Sequence, residues 1–131
     1  MNDLTDTQIS DLKARLAQRG RELKQEIREI LIRSDEQHHK DLAGSVADSG
    51  DDAVADMLID LDTALADRHV SELRDVELAL ARMGNGSYGA CTDCGKTIGY
   101  ERLGVYPTAK RCIRCQQRHE LTHYQGATPT L

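Results

Sequence analysis

The chain contains neither tryptophan nor phenylalanine, and aromatic residues make up only 3% of its 131 residues. Charged residues, by contrast, make up 30%. Large aromatic side chains usually dominate the energetics of a globular core, so their scarcity indicates that this protein does not rely on one large core. The composition favours helices that pair along a narrow apolar seam.

Long apolar runs are also absent, and so is an excess of positive charge. No run of apolar residues approaches the roughly 18 that a membrane-spanning helix needs. The net charge of −5 and the pI near 5.5 argue against general binding to a nucleic-acid backbone. The acids are concentrated in residues 41–83, which carry eleven acids and three arginines. Membrane and general DNA-binding roles are therefore not expected.

The apolar residues recur at the three-and-four spacing of an amphipathic helix in two long stretches. In the first stretch they are Ile9, Leu12, Leu16, Leu23, Ile27, Ile30 and Leu31. In the second they are Val54, Leu58, Leu61, Leu65, Leu73, Val76, Leu80 and Met83. A cluster of helix-breaking residues, 44–52, separates the stretches, and Gly84-Asn85-Gly86-Ser87 is typical of a helix end followed by a turn.

Two helices of similar length joined by a short turn can bury their stripes against each other in an antiparallel hairpin. We therefore predict a mainly α protein in which a long antiparallel coiled-coil hairpin carries a small four-cysteine zinc module and a C-terminal helix. The expected boundaries are an N-terminal lead over 1–9, the hairpin over 10–86 with its tip at 44–53, and the zinc module with its helix and tail over 87–131. A short bundle, or a dimer formed through the stripes, has a similar pattern.

The four cysteines form two pairs, Cys91 with Cys94 and Cys112 with Cys115, and seventeen residues separate the pairs. Two residues within each pair allow two thiolates on one tight turn to reach the same tetrahedral ion. We therefore predict one zinc ion bound by all four cysteines. Four thiolates fill a tetrahedral site and leave no position for an activated water, so the metal is expected to be structural and no catalytic residue is expected.

Two other uses of the cysteines are disfavoured. A pair of disulfides would suit a small secreted protein, but the N-terminus shows no signal-peptide pattern. A thioredoxin-like redox pair is disfavoured because neither pair follows an apolar strand and the second pair would have no purpose. The second pair instead opens a predicted last helix over 113–124.

The residues around the cysteines resemble the DksA/TraR family of bacterial transcription regulators. The resemblance rests on three segments in order and spacing, namely 88–95 (Tyr-Gly-Ala-Cys-Thr-Asp-Cys-Gly), 98–103 (Ile-Gly-Tyr-Glu-Arg-Leu) and 107–115 (Pro-Thr-Ala-Lys-Arg-Cys-Ile-Arg-Cys). Proteins similar to DksA also carry an Asp-x-x-Asp-x-Ala motif at the hairpin tip, which Asp48, Asp51 and Ala53 match here. Ser49, Asp51 or Asp52 could instead cap the second helix, where negative charge favours the helix dipole.

The resemblance implies a cytoplasmic, monomeric regulator that binds RNA polymerase. In this family the finger enters the secondary channel and places its tip, here Asp48, Asp51 and Ala53, near the catalytic magnesium. Promoter complexes then change in stability, so that ribosomal RNA promoters are repressed and amino-acid promoters activated in the stringent response, without sequence-specific DNA binding. Arg68, Arg111 and Arg114 are expected as further polymerase contacts.

Two alternatives and one departure from the family qualify this expectation. A Gre-type factor would use the same channel to stimulate transcript cleavage, and a zinc-ribbon adaptor would bind a partner through the metal module alone. The family's basic positions for the alarmone ppGpp read Asp75, Tyr106 and Gln116 here, while Arg68 remains basic. Because an acid repels a polyphosphate, we expect a weak response to ppGpp at the shared interface with polymerase.

Overall fold

The computed structural model describes residues 4–43 and 49–127, with side chains described for 4–36, 54 and 56–122. These described residues contain four helices in chain order: α1 (Asp6–Ala43), α2 (Ser49–Asn85), α3 (Tyr100–Val105) and α4 (Ile113–Ala127). None of the helices in the described part of the chain combines the length and the apolar character that crossing a membrane requires.

The described residues fall into two compact units. The hairpin unit is Arg19–Asp75, and the cysteine unit combines Met1–Gln18 with Val76–Leu131. Helices α1 and α2 contribute to both units, because each helix has one end in the cysteine unit and the rest in the hairpin unit.

Helix α1 begins with a reciprocal cap. The N–H of Gln8 donates to Oγ1 of Thr5 at 3.1 Å, and the N–H of Thr5 donates to Oε1 of Gln8 at 3.0 Å. This capping box satisfies two backbone donors that a helix start leaves without partners. The helix therefore begins at Asp6, within the residues that the sequence pattern assigns to a lead.

In the hairpin unit the two helices run antiparallel, as predicted. Arg19 bonds Glu72, and further along α1 Arg33 bonds Asp62, so the partner number on α2 falls as the number on α1 rises. The residues that would join the helices, 44–48, lie outside the described part of the chain. Helix α2 begins at Ser49, inside the range 44–53 that the sequence pattern assigns to the tip, so Asp51 belongs to its first turn.

The predicted apolar stripes are only partly buried in the hairpin unit. Leu23 and Ile30 are buried, but Leu31 is 58% exposed. On α2, Val54, Leu58 and Leu61 are also exposed. A pair of helices covers only the line along which they face each other, which explains why side chains at the edges of the stripes stay in contact with solvent.

Helix α2 ends as the glycine pattern predicts. The N–H of Ser87 donates to the carbonyl of Arg82 at 2.9 Å, and Gly86 has φ of 82°. This six-to-one bond around a left-handed glycine is the Schellman motif. Any residue other than glycine would be strained at position 86. The predicted last helix is also present, and it runs from Ile113 to Ala127 rather than to 124. The short helix α3 is a feature that the sequence pattern did not indicate.

Candidate metal centre

The first cysteine pair lies on a tight turn at the end of a short backbone hairpin. The N–H of Ile98 donates to the carbonyl of Gly89 at 2.8 Å, and the N–H of Cys91 donates to the carbonyl of Lys96 at 2.7 Å. The turn closes when the N–H of Gly95 donates to the carbonyl of Cys91 at 3.0 Å, with Gly95 at φ 76°. Gly95 thus supplies the left-handed residue that this turn needs.

The second pair lies at the start of α4. Cys112 directly precedes the helix, and the N–H of Gln116 donates to the carbonyl of Cys112 at 2.9 Å. Cys115 is in the first turn and is buried. The two pairs are connected by the N–H of Thr92, which donates to the carbonyl of Lys110 at 2.9 Å.

The four sulfur atoms meet at one point. Each Sγ of Cys91, Cys94, Cys112 and Cys115 lies within 4.8 Å of the others, and the Sγ atoms of Cys94 and Cys112 are 3.9 Å apart. Four sulfurs at about 2.3 Å from a tetrahedral zinc ion are about 3.8 Å from one another, whereas a disulfide needs about 2.05 Å. All four cysteines are free, and their arrangement fits a single zinc ion.

The backbone around the sulfurs also favours thiolates. Burial raises the pKa of Cys91, but hydrogen bonds from the backbone of Cys94, Cys112 and Asp93 together lower it to about 6. The backbone of Cys115 lowers the pKa of Cys112. In Cys115 the hydrogen bond with Cys112, together with burial, raises the pKa to about 12. Neighbouring thiols thus share protons, which a divalent cation would displace as it binds.

A zinc ion held by Cys91, Cys94, Cys112 and Cys115 would cross-link the turn that carries the first pair to the start of α4, which carries the second pair. Because four protein ligands complete a tetrahedral zinc site, it would keep no exchangeable position for a substrate or an activated water. The chemistry of this donor set is therefore structural, in agreement with the sequence-based prediction.

Three arginines secure the irregular backbone around the cysteines. Arg82 is 9% exposed, and its Nη2 donates to the carbonyls of Ser87, at 2.9 Å, and of Ala90. Arg102 Nε donates to the carbonyl of Arg111 at 3.1 Å, and Arg15 Nη2 donates to the carbonyl of Gly104 at 2.7 Å. Sequence reasoning missed these roles, since an arginine on a helix is usually solvated.

Tyr88 forms a further connection. Its ring is 1% exposed, and its hydroxyl donates to the carbonyl of Pro107 at 2.8 Å. Burial raises its pKa to about 12, although the positive charges of Arg15 and Arg82 oppose this rise. The phenol thus joins the segment before the first cysteine pair to the segment before the second.

The remaining predicted site residues are found in different settings. Asp48 lies outside the described residues, and for Asp51 and Ala53 only the helical backbone is described. Arg68 on α2 and Arg114 on α4 are exposed. Arg111 is less accessible, because its Nε bonds Oδ2 of Asp93 at 3.0 Å.

The residues at the predicted ppGpp positions differ in their surroundings. The guanidinium of Arg102 lies 5.5 Å from the centre of the Tyr106 ring, and Gln116 Nε2 donates to Oε1 of Glu120 at 3.1 Å. Asp75 is half-buried on α2.

Helices paired as an antiparallel hairpin, followed by four converging cysteines, define a helical protein with a C4-type zinc finger. The family model described as "Prokaryotic dksA/traR C4-type zinc finger" matches residues 86–121. RNA polymerase-binding transcription factor DksA of Caulobacter vibrioides is 31% identical over 119 residues, which are 89% of this chain and 79% of that protein. The chain therefore belongs to the DksA/TraR family.

Two further comparisons extend the likeness to nearly the whole chain. RNA polymerase-binding transcription factor DksA of Salmonella typhimurium is 27% identical over 124 residues, covering 95% of this chain and 79% of that protein. The solved structure of transcription factor DksA2 from Pseudomonas aeruginosa superimposes with a TM-score of 0.78 at 25% identity, covering 91% of this chain and 88% of that one.

Proposed function

We propose that this protein binds RNA polymerase and regulates transcription from within the polymerase secondary channel. The observation that carries the proposal is the extent of the likeness to proteins named RNA polymerase-binding transcription factor DksA, which covers 89% of this chain in the Caulobacter protein. A likeness restricted to the zinc finger would support a metal module alone, whereas this one includes both long helices.

The shape and charge of the hairpin unit support entry into a channel. Two antiparallel helices form a narrow element, and the segment 41–83 is rich in acidic residues. Asp48 and Asp51 are the proposed active-site-facing residues, with Ala53 as a small residue that permits close approach. Carboxylates near a catalytic magnesium can contact basic groups or perturb the hydrogen bonds around the ion.

Of the proposed arginine contacts, the exposed pair Arg68 and Arg114 is better suited to bind polymerase than Arg111. The guanidinium of Arg111 already bonds Asp93, and its side chain is 24% exposed. We therefore assign Arg111 mainly to holding the two cysteine loops, and we expect charge removal at Arg68 or Arg114 to weaken polymerase binding.

The test is transcription in vitro from a ribosomal RNA promoter with the cognate polymerase. Asp51→Asn should reduce inhibition while leaving polymerase affinity unchanged, because only the charge at the tip is lost. Asp60→Asn, an exposed acid on the same helix, is the matched control and should inhibit like the wild type. Equal inhibition by both variants would exclude the tip assignment, and failure of a Gre-type factor to compete for binding would exclude the channel.

We propose that the protein acts by binding and not by catalysis. It acts as a monomer in the cytoplasm, and it makes no sequence-specific contacts to DNA. Response to ppGpp should be weak, because Asp75, Tyr106 and Gln116 offer no positive charge to a polyphosphate. Inhibition measured with and without ppGpp tests this, and strong synergy would contradict it.

One observation favours a second candidate, the zinc-ribbon adaptor. A concavity of about 670 Å³ in the cysteine unit is lined by several exposed apolar side chains, including Val105 (88% exposed) and Ile113 (52% exposed). Exposed apolar patches of this kind often mark protein interfaces. Deleting residues 45–52 separates the two functions, since an adaptor would keep its activity and a tip-dependent regulator would lose it.

A further inference from the structure

The four cysteines differ in how far solvent reaches them. Cys91 and Cys115 are buried, whereas Cys94 is exposed and Cys112 is half-buried. The Sγ atoms of Cys94 and Cys112 are 3.9 Å apart, so the more accessible ligand of each pair lies beside that of the other pair. Because exposed segments open locally more easily than packed ones, we expect the metal site to open between Cys94 and Cys112. We refer to these two residues as the open edge.

An ion pair joins the residues that directly precede the two cysteines of the open edge. Asp93 precedes Cys94, and Arg111 precedes Cys112. Arg111 Nε donates to Oδ2 of Asp93 at 3.0 Å, across 18 positions of sequence. The pair therefore connects the turn of the first cysteine pair to the segment that leads into α4. Separation of Cys94 from Cys112 would stretch or break this bond.

The backbone on both sides of the ion pair is already held. The N–H of Thr92 donates to the carbonyl of Lys110 at 2.9 Å, and the carbonyl of Arg111 accepts from Arg102 Nε at 3.1 Å. An exposed ion pair usually contributes little, partly because ordering two flexible side chains costs entropy. Here the short side chain of Asp93 and the fixed backbone reduce that cost.

The two charges of the pair have opposite effects on the metal site. Four thiolates around one zinc ion carry a net negative charge, so the carboxylate of Asp93 is unfavourable beside them and the guanidinium of Arg111 is favourable. An effect of charge alone predicts that removing the acid would slow the loss of zinc. A bond that holds the open edge together predicts the reverse. Substitution of Asp93 therefore separates the two explanations.

We propose that the Asp93–Arg111 ion pair is a latch that sets how fast zinc leaves the protein. Both are positioning residues, which act through the cysteines of the open edge, as residues around metal ligands commonly do. Because the side chains of Arg111 and Asp93 are 24% and 44% exposed, salt weakens their attraction. Zinc retention is thus sensitive to ionic strength. The inference does not depend on polymerase binding.

The experiment follows transfer of zinc from the loaded, full-length protein to excess pyridylazoresorcinol, a chromogenic chelator. At low salt Asp93→Ala should release zinc about threefold faster than the wild type. Arg111→Gln should release it about fivefold faster, because it also leaves an uncompensated acid beside the thiolates. Lys96→Gln, which removes a positive charge from an exposed position in the first turn, is the control and should change the rate less than about 1.5-fold. The difference between the wild type and Asp93→Ala should shrink toward about 0.5 M salt.

Reversing the pair tests the bond separately from either charge. Asp93→Arg combined with Arg111→Asp keeps an ion pair and the same total charge, and should release zinc within about twofold of the wild-type rate. Each reversal alone places two like charges together and should release zinc at least about tenfold faster.

Two outcomes would overturn the latch. One is release from Asp93→Ala that is as slow as from the wild type or slower. The other is a reversed double variant that loses zinc as fast as the single reversals. Zinc content before transfer and helix content confirm that each variant is loaded and folded. Incomplete loading of a single variant counts as fast release if the reversed double variant loads fully, and against the latch if it does not.

Discussion

Three arginines of the cysteine unit bind a different kind of acceptor from two arginines of the hairpin unit. In the cysteine unit Arg15, Arg82 and Arg102 donate to backbone carbonyls, whereas in the hairpin unit Arg19 and Arg33 bond carboxylates. The difference follows from the backbone. Regular helices satisfy their own carbonyls, but the loops around the cysteines leave carbonyls that need other donors. Arg15, Arg82 and Arg102 therefore hold irregular backbone in place, whereas Arg19 and Arg33 pair with side chains of the hairpin.

Burial differs in the same way. Tyr88, Leu103 and the ligand Cys91 are all at most 3% exposed in the cysteine unit, whereas Leu31 and Leu61 of the hairpin unit are each more than half exposed. Satisfied loops and a metal cross-link fix the first unit. The second is held by a narrow seam, so its apolar edges remain available to a partner.

The largest expected effect is loss of zinc from the cysteine unit alone. Cys94→Ser removes a ligand whose side chain is exposed, so little packing is lost with it. Because structural zinc contributes on the order of 10 kcal/mol to the folding of small sites, zinc should no longer bind stoichiometrically. Amides of 91–116 should then lose protection from hydrogen exchange while those of 23–33 keep it.

Elemental analysis for zinc and hydrogen-exchange mass spectrometry provide the measurements. Lys96→Ser, an exposed substitution beside the same turn, is the control and should retain one zinc ion per chain. Equal loss of protection in 23–33 would mean that the two units unfold together, and the contrast between them would not hold for stability.

A smaller effect is expected from Arg82→Met, which keeps the apolar stem of the side chain and removes the donor. The carbonyls of Ser87 and Ala90 would lose a charged hydrogen-bond partner, at a cost of about 2–3 kcal/mol in the free energy of unfolding. Urea unfolding measures the loss. Arg118→Met, at an exposed position on α4, should cost less than about 0.5 kcal/mol, and similar losses in both variants would contradict the buried role.

Tyr88→Phe should cost about 1 kcal/mol, because it removes only the hydroxyl that donates to Pro107. It should also change the response to alkali. The pKa of Tyr88 is raised from 10.0 to about 12 on folding. The neutral phenol of Tyr88 therefore adds its full contribution to the free energy of unfolding below pH 10, and this contribution is lost as the pH rises toward 12.

Melting temperatures between pH 8 and pH 12 check this sign. The wild type should lose stability above pH 10 more steeply than Tyr88→Phe, while the half-exposed Tyr100, replaced by phenylalanine, serves as the control and should leave the profile unchanged. Parallel profiles for the wild type and Tyr88→Phe would show that burial of this phenol is not linked to stability.

Much of this organisation could be predicted from the sequence, because it depends on spacing. The cysteine pairs predicted the site where four sulfurs converge, and the apolar stripes predicted an antiparallel hairpin. Gly84-Asn85-Gly86 predicted the end of α2. These features depend on local periodicity and on residues close in sequence.

Long-range side-chain bonds could not be predicted in this way. Arg15 and Gly104 are 89 positions apart, and nothing in the local pattern of α1 distinguishes Arg15 from a solvated arginine. Helix α3 was also missed, because six residues are too few to show a helical period. The exposure of Leu31 depends on how much of each stripe a two-helix pair can cover, which spacing alone does not determine.

The smallest effect is expected from the ion pair between Arg19 and Glu72 in the hairpin unit. Both carboxylate oxygens accept hydrogen bonds, at 2.6 and 2.9 Å, but the two side chains are 37% and 41% exposed. Solvent screens such pairs, so Glu72→Gln should cost about 0.5 kcal/mol, well below the value for Arg82→Met.

The hydrogen bond from Arg19 lowers the pKa of Glu72 from its usual 4.5. The pair therefore contributes fully above pH 4.5 and is lost as the pH falls through the lowered value. Urea unfolding at pH 7 and pH 3, with Glu36→Gln as the exposed control, measures the difference. A loss as large as that of Arg82→Met would mean that arginine–carboxylate pairs stabilise the hairpin as strongly as arginine–carbonyl bonds stabilise the loops, and the contrast between the units would then lie only in the metal.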